Sequence, residues 1–382
     1  MTTQTDIIVI GAGIAGASAA AHLSQTRKVI VLEMEERPGY HTTGRSAATF
    51  EPNYGPAPIR ALTRASRDFF RSPPDGFAAA PLIEDRESML FVSAGQEEIG
   101  RKALADGAGL VEISEAEARK RFPVLKSGYA KNILLDPHSA FLDVDLLHQG
   151  FLRLFKSRGG QVVCNAEVTG IHRHGDHWHV TTPAGDFVAP VVVNAAGAWS
   201  DVIAELAGAA RAGLQPKRRS IAVVPLPQGM NSRDWPMITD VGETWYAKPQ
   251  GSRLLISPAD ATHVEPHDAF ADDLLLAEGI DRFQQAADVA IERIEHSWGG
   301  LRTFAPDGSP VCGYDPEMPG FFWLAGQGGY GIQTSPALSR LAAALVLEQP
   351  VPADIAAEGI TAETLSPSRF KRFEARSART SA

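Results

Sequence analysis

The chain has 382 residues, 44% of them hydrophobic, and a formal net charge of −9 at pH 7. Its length exceeds what one hydrophobic core usually supports, so we expect two domains. The acidic balance argues against a general nucleic-acid-binding protein, because such proteins need a basic surface for phosphates. Two cysteines, Cys164 and Cys312, are too few for a disulfide framework.

Membrane and secretion signals are missing from the sequence pattern. No apolar run reaches the roughly 18 residues of a membrane span, and the opening MTTQTD has neither a basic nor a cleavable apolar segment. We therefore expect a cytoplasmic protein without an integral membrane segment. Peripheral contact with the inner membrane stays open.

The first predicted element is a strand, a helix and a second strand over residues 6–33. The first strand runs into Gly11, Gly13 and Gly16, and the second ends at Glu33, as a dinucleotide-binding fold requires. Gly11 permits the tight turn, Gly13 lets the backbone approach a pyrophosphate, and Gly16 lets helix and strand pack closely. Because Glu33 would bond ribose hydroxyls and repel a 2′-phosphate, the motif predicts FAD or NAD rather than NADP.

Small and hydrogen-bonding residues fill positions 41–48, which indicates backbone wrapped closely around a ligand. A helix is predicted over residues 57–70, ended by the breaker Ser72-Pro-Pro-Asp-Gly76. Residues 88–93 have the pattern of a strand.

In the middle of the chain, Asp143 is placed to cap a helix that reaches about Arg158. A strand over 161–164 and a β meander from Val168 lead to the segment 191–199, which is predicted to be a buried strand that ends in small residues before a helix. Residues 220–260 alternate strands with turns, and residues 273–289 have a helical pattern, so this region is predicted to be α+β.

The last predicted elements are a strand at 321–326, a glycine turn at 327–331 and a helix over 332–348. Glycine turns at residues 11, 197 and 328 therefore each join a strand to a helix. One extended cofactor, contacted by N-terminal, middle and C-terminal segments, explains that arrangement.

Four histidines in the meander, His172, His174, His177 and His179, raise the question of a metal site. Alternate strand residues point to one face and the intervening turn is expected to be exposed to solvent. We predict no metal site.

Four separate segments carry a family resemblance, at residues 39–48, 213–220, 298–304 and 326–334. Together with the glycine motif they resemble, in the same order, the D-amino-acid oxidase family of FAD-dependent amine oxidoreductases. Within that family the chain is similar to bacterial D-arginine dehydrogenases. The resemblance implies an α/β fold in which a Rossmann-like FAD-binding domain is interleaved with an α+β substrate domain on a mostly antiparallel sheet. The implied segments are 1–80, 148–212 and 306–382 for FAD, and 81–147 and 213–305 for the substrate.

The resemblance also implies which residues contact the ligands. Besides the glycine motif at Gly11, Gly13 and Gly16, the implied FAD contacts are Ala15, Glu33, Met34, Thr42, Thr43, Gly44, Arg45, Ser46, Ala47, Ala48, Thr49, Val168, Gly328, Gly329, Tyr330, Gly331, Ile332 and Gln333. The implied substrate residues are Tyr54, Ser88, Arg219, Tyr246, Arg302 and Gly329. We expect FAD to be bound non-covalently, since nothing around Cys312 indicates a covalent link.

Chemistry supports the substrate set independently of the resemblance. Two arginines can hold a carboxylate by charge-assisted, bidentate bonds, and tyrosine hydroxyls can complete the shell. The Gly329 carbonyl is suited to accept from the substrate amine. A basic run such as 217–219 is usually a solvated face, whereas the apolar neighbours of Arg302 rarely surround an unpaired guanidinium.

Two departures from the arginine-selective pattern bear on the substrate. The chain has Ser88 where that pattern has an acidic residue, and Glu87 is expected to point to the opposite face. Thr49 and Glu51 stand where the resemblance leads us to expect histidine and threonine. Ser88 predicts a weaker cationic preference that favours neutral or aromatic D-amino acids, although Glu51 could restore a negative charge from another wall.

The resulting expectation is oxidative deamination of D-amino acids to 2-oxo acids and ammonia, by hydride transfer from Cα to flavin N5. The sequence leaves open a glycine- or sarcosine-type oxidase that uses oxygen, a 2-hydroxy-acid oxidoreductase, and a flavin- or NAD-binding regulatory module without turnover. The expected partners are a small D-amino acid and an unidentified electron acceptor, either quinone-like or a carrier protein.

Overall fold

The structure, a computed structural model, describes residues 2–370. Four sheets and the helices that cover them make up this part of the chain. Its strands are β1 Thr2–Gln4, β2 Ile7–Ile10, β3 Val29–Leu32, β4 Thr49–Phe50, β5 Ile83–Asp85, β6 Ser88–Val92, β7 Val111–Ile113, β8 Asn132–Asp136, β9 Ala140–Leu142, β10 Gln161–Val163, β11 Gly170–His174, β12 His177–Thr182, β13 Gly185–Ala189, β14 Val191–Asn194, β15 Gln215–Pro225, β16 Met237–Asp240, β17 Tyr246–Gln250, β18 Arg253–Ser257, β19 His296–Phe304, β20 Val311–Tyr314, β21 Phe321–Ala325 and β22 Gln327–Gly328. Its helices are α1 Ile14–Leu23, α2 Ala57–Arg71, α3 Glu97–Asp106, α4 Glu115–Arg121, α5 Val144–Ser157, α6 Ser200–Leu206, α7 Asp273–Ala286, α8 Gly331–Val346 and α9 Ala353–Ala357, with a 3-10 turn at Gly197–Trp199 before α6.

A six-stranded sheet in the order β10-β3-β2-β14-β21-β20 carries the glycine motif. Its strands run parallel except for β20, which is antiparallel to β21. Every residue of β2 and β3 is buried, as expected for parallel strands covered on both faces. Helix α1 is rich in alanine and lies in the hydrophobic core on one side of this sheet, so its N-terminus is held at the carboxyl end of β2.

The nine-stranded sheet has the order β22-β19-β15-β18-β17-β16-β6-β8-β7 and is antiparallel except where β16 pairs with β6. Side chains alternate between its faces, so the register of the strands defines two surfaces. One surface, the apolar face, carries Met89, Phe91, Ala222, Ile238, Ala247 and Ile256, which enter a core completed by α7.

The opposite surface of the nine-stranded sheet is polar. By the same alternation it carries Ser88, Arg219, Tyr246, Lys248 and Arg302. We call it the polar face. Residues from four different strands thus meet on one surface although they lie up to about two hundred positions apart.

The fold class predicted from the sequence is confirmed as a mixed α/β fold with parallel and antiparallel sheets. One predicted helix end is wrong: α7 ends at Ala286 rather than at Val289. The reason is that Ala287 turns to extended backbone and forms an isolated bridge with Leu125. Asp143 caps α5 as expected, because its carboxylate accepts from the Leu146 amide at 2.9 Å.

The predicted division into two domains stays a prediction. The strands of the six-stranded sheet fall within the segments assigned to FAD, and those of the nine-stranded sheet fall within the substrate segments except β22. The boundary placed between residues 147 and 148 falls inside the unbroken helix α5. The last twelve residues of segment 306–382 lie outside the described residues. Within residues 2–370, no helix has both the length and the apolarity that crossing a bilayer requires.

Candidate active site

A cavity that opens to solvent lies where the six-stranded sheet meets the polar face of the nine-stranded sheet. The three predicted glycine turns meet in its wall, at Gly11, Gly197 and Gly328. Predicted cofactor residues that line it are Gly11, Gly13, Ala15, Glu33, Met34, Thr42, Thr43, Arg45, Ser46, Ala47, Val168, Gly328, Gly329, Gly331 and Ile332.

The turn before α1 is built for an anion. Gly11 has φ +98°, and a Cβ there would lie 2.5 Å from the Ala195 carbonyl oxygen, so only glycine fits. Among the described residues, the amides of Gly13, Ala15 and Gly16 have no protein acceptor. Free amides at a helix N-terminus, together with the helix dipole, favour phosphate charge.

Glu33 lies at the end of β3 and lines the same cavity. Its carboxylate accepts from the Ala12 amide at 2.8 Å and the Glu35 amide at 3.1 Å. Burial raises its pKa, while those two amide bonds act in the opposite sense. The residue is therefore fixed beside the phosphate turn, where its remaining acceptor capacity suits ribose hydroxyls.

A second helix N-terminus faces the cavity from α8. The amides of residues 331–333 have no backbone acceptor in the described chain, and Gly331 and Ile332 line the cavity. The dipole of α8 and these free amides can stabilise negative charge that develops on a ring system bound beside them. The glycine turns, the free amides and Glu33 thus fit FAD.

Six predicted cofactor residues do not line the cavity, and their contact with FAD stays a prediction. Gly16 packs α1 against the Gly11 carbonyl, and Gly44 lies against the Gly39 carbonyl. Gln333 bonds the Glu51 amide, and Tyr330 stacks edge-on with Tyr54 at 4.8 Å between ring centroids. The remaining two are Ala48 and Thr49, the latter in β4 paired with Phe141.

The loop at residues 40–46 is tied to the nine-stranded sheet. Thr42 donates to the Leu301 carbonyl at 2.7 Å, and Trp298 Nε1 donates to the Arg45 carbonyl at 2.9 Å. The Arg45 guanidinium bonds Asp268 and the carbonyls of Ala269 and Gly299. This arginine therefore anchors the loop by its side chain.

Arg219 and Arg302 lie together on the polar face and both line the cavity. Neither guanidinium has an ion pair or hydrogen bond with a protein group in residues 2–370, and the Arg219 Nε is buried without a partner. Burial, followed by the positive charge of Arg302, lowers the pKa of Arg219. Two adjacent buried cations without a hydrogen-bonded or ion-paired protein partner call for an anionic ligand.

Tyr54, Tyr246 and Gly329 surround the two guanidinium groups. Tyr246 is 7% exposed and its hydroxyl is buried with no partner, and burial raises the pKa of Tyr54. A Cβ at Gly329 would lie 2.8 Å from Arg302 Nη1, so the absence of a side chain there leaves room for the guanidinium. The structure therefore brings these predicted substrate residues together.

Ser88, the remaining predicted substrate residue, is buried at 2% exposure and donates to Glu51 at 2.6 Å. Glu87 points away and pairs with Arg121 at 2.9 Å. The side chains of the two neighbours thus lie on opposite faces of β6, as the alternation predicts.

Sequence reasoning missed Glu243 and Trp199. Glu243 has φ +56° in the turn between β16 and β17, and its carboxylate accepts from the Tyr54 hydroxyl at 3.2 Å. No motif marks it, because its role depends on a contact across 189 positions. Trp199 lines the cavity beside His41, with ring centroids 4.6 Å apart; the small-residue turn before it was the available signal.

The meander histidines form a surface ladder. His172 and His179 stack with ring centroids 5.2 Å apart. Within the described part of the chain, no group of three or more His, Cys, Asp or Glu side chains is arranged to hold a metal ion.

Comparison with known proteins places this site in a family. The family model described as FAD dependent oxidoreductase, DAO, matches residues 6–345. The chain is 23% identical over 370 residues to glycine oxidase of Bacillus subtilis, covering 93% of this chain and 96% of that protein. It is 25% identical over 362 residues to mitochondrial sarcosine dehydrogenase of Mus musculus, covering 87% of this chain but only 38% of that longer protein.

The fold has a counterpart among solved structures. L-proline dehydrogenase from P. horikoshii superimposes with a TM-score of 0.82 at 19% identity, covering 97% of this chain and 99% of that chain. The family match extends over most of the chain, including the glycine turns and both unpaired arginines. The chain therefore belongs to the DAO family of FAD-dependent oxidoreductases.

Proposed function

We propose that the protein is a broad-specificity D-amino-acid dehydrogenase, which deaminates its substrate oxidatively to a 2-oxo acid and ammonia. One observation carries the proposal: the guanidinium groups of Arg219 and Arg302 line a cavity that continues to the phosphate turn, and the Tyr246 hydroxyl beside them is buried without a partner. Buried polar groups normally have partners. A bound amino-acid carboxylate supplies the missing ones.

The chain's own residues orient the substrate. The two guanidinium groups hold the carboxylate, and the Tyr246 hydroxyl donates a further bond, which fixes the position of Cα. The Gly329 carbonyl accepts from the unprotonated amine. FAD, when bound, accepts the hydride that leaves Cα. The imino acid released from the site hydrolyses in water to the 2-oxo acid and ammonia.

Tyr54 and Glu243 cover the site from the solvent side. Tyr54 bonds Glu243 and packs against Tyr330, and Glu243 is exposed in its turn. This cover limits the entry of water while the amine is held in its unprotonated form.

The choice of D-amino acids rests on the resemblance of segments 39–48, 213–220, 298–304 and 326–334 to D-arginine dehydrogenases. Ser88 in place of an acidic residue supports a weaker cationic preference. We expect D-arginine to exceed D-phenylalanine and D-methionine in kcat/KM by less than about a hundredfold, or about 2.7 kcal/mol.

The direct test is anaerobic reduction of the bound flavin by single D- and L-amino acids, followed by the visible spectrum. Bleaching by D-amino acids alone supports the proposal. A flavin spectrum that D-amino acids leave unchanged overturns it. Acid precipitation that releases the flavin from the protein supports non-covalent binding.

A second candidate is oxidation of glycine or a secondary amine. The similarity to proteins named glycine oxidase and sarcosine dehydrogenase favours it, because the same carboxylate clamp suits those substrates. Bleaching by glycine, sarcosine or proline but not by D-amino acids distinguishes it. Turnover of D-lactate or 2-hydroxyglutarate would instead indicate a 2-hydroxy-acid oxidoreductase.

The electron acceptor is proposed to be quinone-like or a carrier protein. Stoichiometric peroxide formation in air would indicate an oxidase instead. Reoxidation by a soluble quinone analogue, with little peroxide, supports a dehydrogenase.

A further inference from the structure

Glu51 follows β4 and has a fixed position over the polar face. Its amide donates to Gln333 Oε1 at 2.9 Å, and Gln333 in turn donates to Thr63 Oγ1 at 2.9 Å. Its two carboxylate oxygens accept separately from Ser88 and Ser139, each at 2.6 Å. The carboxylate therefore lies against Ser88, on the same surface as Tyr246 and the two guanidinium groups.

Glu51 has no cation of its own. Among the described residues it forms no ion pair, and Lys248, on the same face, donates to the Ala48 carbonyl at 2.9 Å and lies 4.6 Å from the Phe141 ring centroid. The two opposite charges attract each other at longer range: burial lowers the pKa of Lys248 to about 8, and the Glu51 carboxylate acts in the opposite direction. A half-buried carboxylate held only by hydroxyls has capacity for a further positively charged partner.

We propose that Glu51 is a specificity-determining residue, whose carboxylate binds the ammonium or guanidinium end of a cationic substrate side chain. The inference rests on the proposed function, in which the two arginines clamp the substrate carboxylate. A side chain that extends from a clamped Cα along the polar face, past Tyr246, reaches the Ser88 and Glu51 wall. Glu51 thus supplies, directly beside Ser88, the negative charge that Ser88 lacks.

The charge of this subsite depends on pH. Burial raises the pKa of Glu51 to about 7, and the hydrogen bonds from Ser139 and Ser88 oppose that shift. The groups that face it are Ser88 on β6, Ser139 before β9, Asp136 at the end of β8, Lys248 on β17, Thr49 on β4 and Gln333 on α8. Asp136 is bonded by Asn53 at 2.8 Å and acts to raise the pKa of Glu51 further.

Cationic substrates are therefore favoured when Glu51 is ionised, and neutral ones are accepted when it is protonated. The ratio of kcat/KM for D-arginine to that for D-methionine measures this effect together with the ionisation of Lys248, whose pKa burial lowers to about 8; the Glu51→Gln variant separates the two. Both substrates carry the same α-amine and react with the same flavin, so the ionisations of those groups cancel. The D-arginine side chain is cationic across the whole range tested.

The experiment measures that ratio from pH 6 to pH 9 in the holoenzyme, in Glu51→Gln and in the matched control Glu87→Gln. The control removes the carboxylate that lies one position before Ser88 and points to the opposite face. We expect the ratio to rise at least tenfold through neutral pH in wild type and control. In Glu51→Gln the ratio stays at the acid-side value through neutral pH, and a rise near pH 8 in this variant reports Lys248 alone.

A ratio that is independent of pH in the wild type overturns the inference, and this measurement needs no variant to fold. A Glu51→Gln ratio within twofold of the wild-type ratio at pH 8.5 also overturns the inference. Failure of the proposed function looks different, because then neither D-arginine nor D-methionine reduces the flavin of the wild-type enzyme at any pH.

Discussion

Two neighbouring arginines of β15, Arg218 and Arg219, point to opposite faces of the nine-stranded sheet and have opposite surroundings. On the apolar face, Arg218 bonds Asp272 at 2.7 Å and Asp260 at 3.4 Å. On the polar face, Arg219 has a buried Nε without a partner and shares its surroundings with Arg302. Both arginines belong to the same short basic run. Whether each is paired therefore depends only on the face to which its side chain points.

The difference shows what each face is for. Where the sheet packs against α7, charges are paired within the protein and the surrounding side chains are apolar. Where it borders the cavity, polar groups are left unsatisfied, an arrangement that costs free energy unless a ligand completes it. The buried, unpaired guanidinium nitrogen of Arg219 and hydroxyl of Tyr246 on the polar face therefore indicate a binding surface.

The largest expected effect is that of Arg302→Met on activity. Loss of two charge-assisted bonds to the substrate carboxylate, each about 1.5–3 kcal/mol, should lower kcat/KM about a thousandfold. Anaerobic stopped-flow reduction of the flavin measures it, with flavin content as control. Arg302→Lys keeps the positive charge but loses the planar fork of the guanidinium. Its kcat/KM should therefore lie between that of Arg302→Met and that of the wild type. Activity within tenfold of wild type in Arg302→Met would contradict the carboxylate clamp.

The two adjacent arginines should also differ in their effect on stability, with the larger effect at Arg218. Arg218→Met leaves the 3%-exposed side chain of Asp260 without its cation, and should lower the free energy of unfolding by about 3 kcal/mol. Arg219→Met removes a buried charge that has no partner, and should leave stability unchanged or about 1 kcal/mol higher. Urea denaturation of both holoenzymes, followed by tryptophan fluorescence, tests the contrast. Equal destabilisation would mean that Arg219 has a structural role.

Glu51 should make stability depend on pH. Its pKa is raised from 4.5 to about 7 in the folded state, so between those values the folded protein keeps a proton that the unfolded chain releases. Its contribution to stability is therefore lost as the pH rises through that window, by up to about 3 kcal/mol. The stability of Glu51→Gln relative to wild type should increase from pH 5 to pH 8, as measured by denaturation at each pH. A stability difference between Glu51→Gln and the wild type that stays constant from pH 5 to pH 8 would contradict this prediction.

The smallest effect concerns Tyr246. Removal of its hydroxyl in Tyr246→Phe should lower kcat/KM about tenfold, or about 1.4 kcal/mol, through one lost bond to the substrate. Stability should not fall, because the hydroxyl has no protein partner. A drop in unfolding free energy without a change in kcat/KM would assign that hydroxyl to the fold instead.

Local patterns were sufficient for much of the fold. The glycine motif predicted the strand, helix and strand at β2, α1 and β3, and Asp143 predicted the start of α5. The end of α7 was misplaced because it depends on a bridge to Leu125, more than 160 positions away. The same patterns could not predict the strand order of the sheets, because strand pairing depends on contacts between residues far apart in the sequence.

The candidate site divides in the same way. The cofactor turns could be predicted from short glycine spacings, because a tight turn and a close backbone approach restrict φ and side-chain size locally. The assignment of Arg219 depended on resemblance, because a basic run is usually a solvated face. Glu243 had no local signal at all.

By itself, the sequence determined the elements and the dinucleotide motif, because hydrophobic period, turn residues and glycine spacing act within a few residues. Tertiary structure alone decided which charges are paired. It joined Arg218 to Asp260 and Asp272, left Arg219 beside Arg302, and set Glu51 against Ser88 and Ser139. The physical reason is that desolvation and hydrogen bonding depend on what surrounds a group in space, and strand register, not sequence neighbourhood, sets those surroundings.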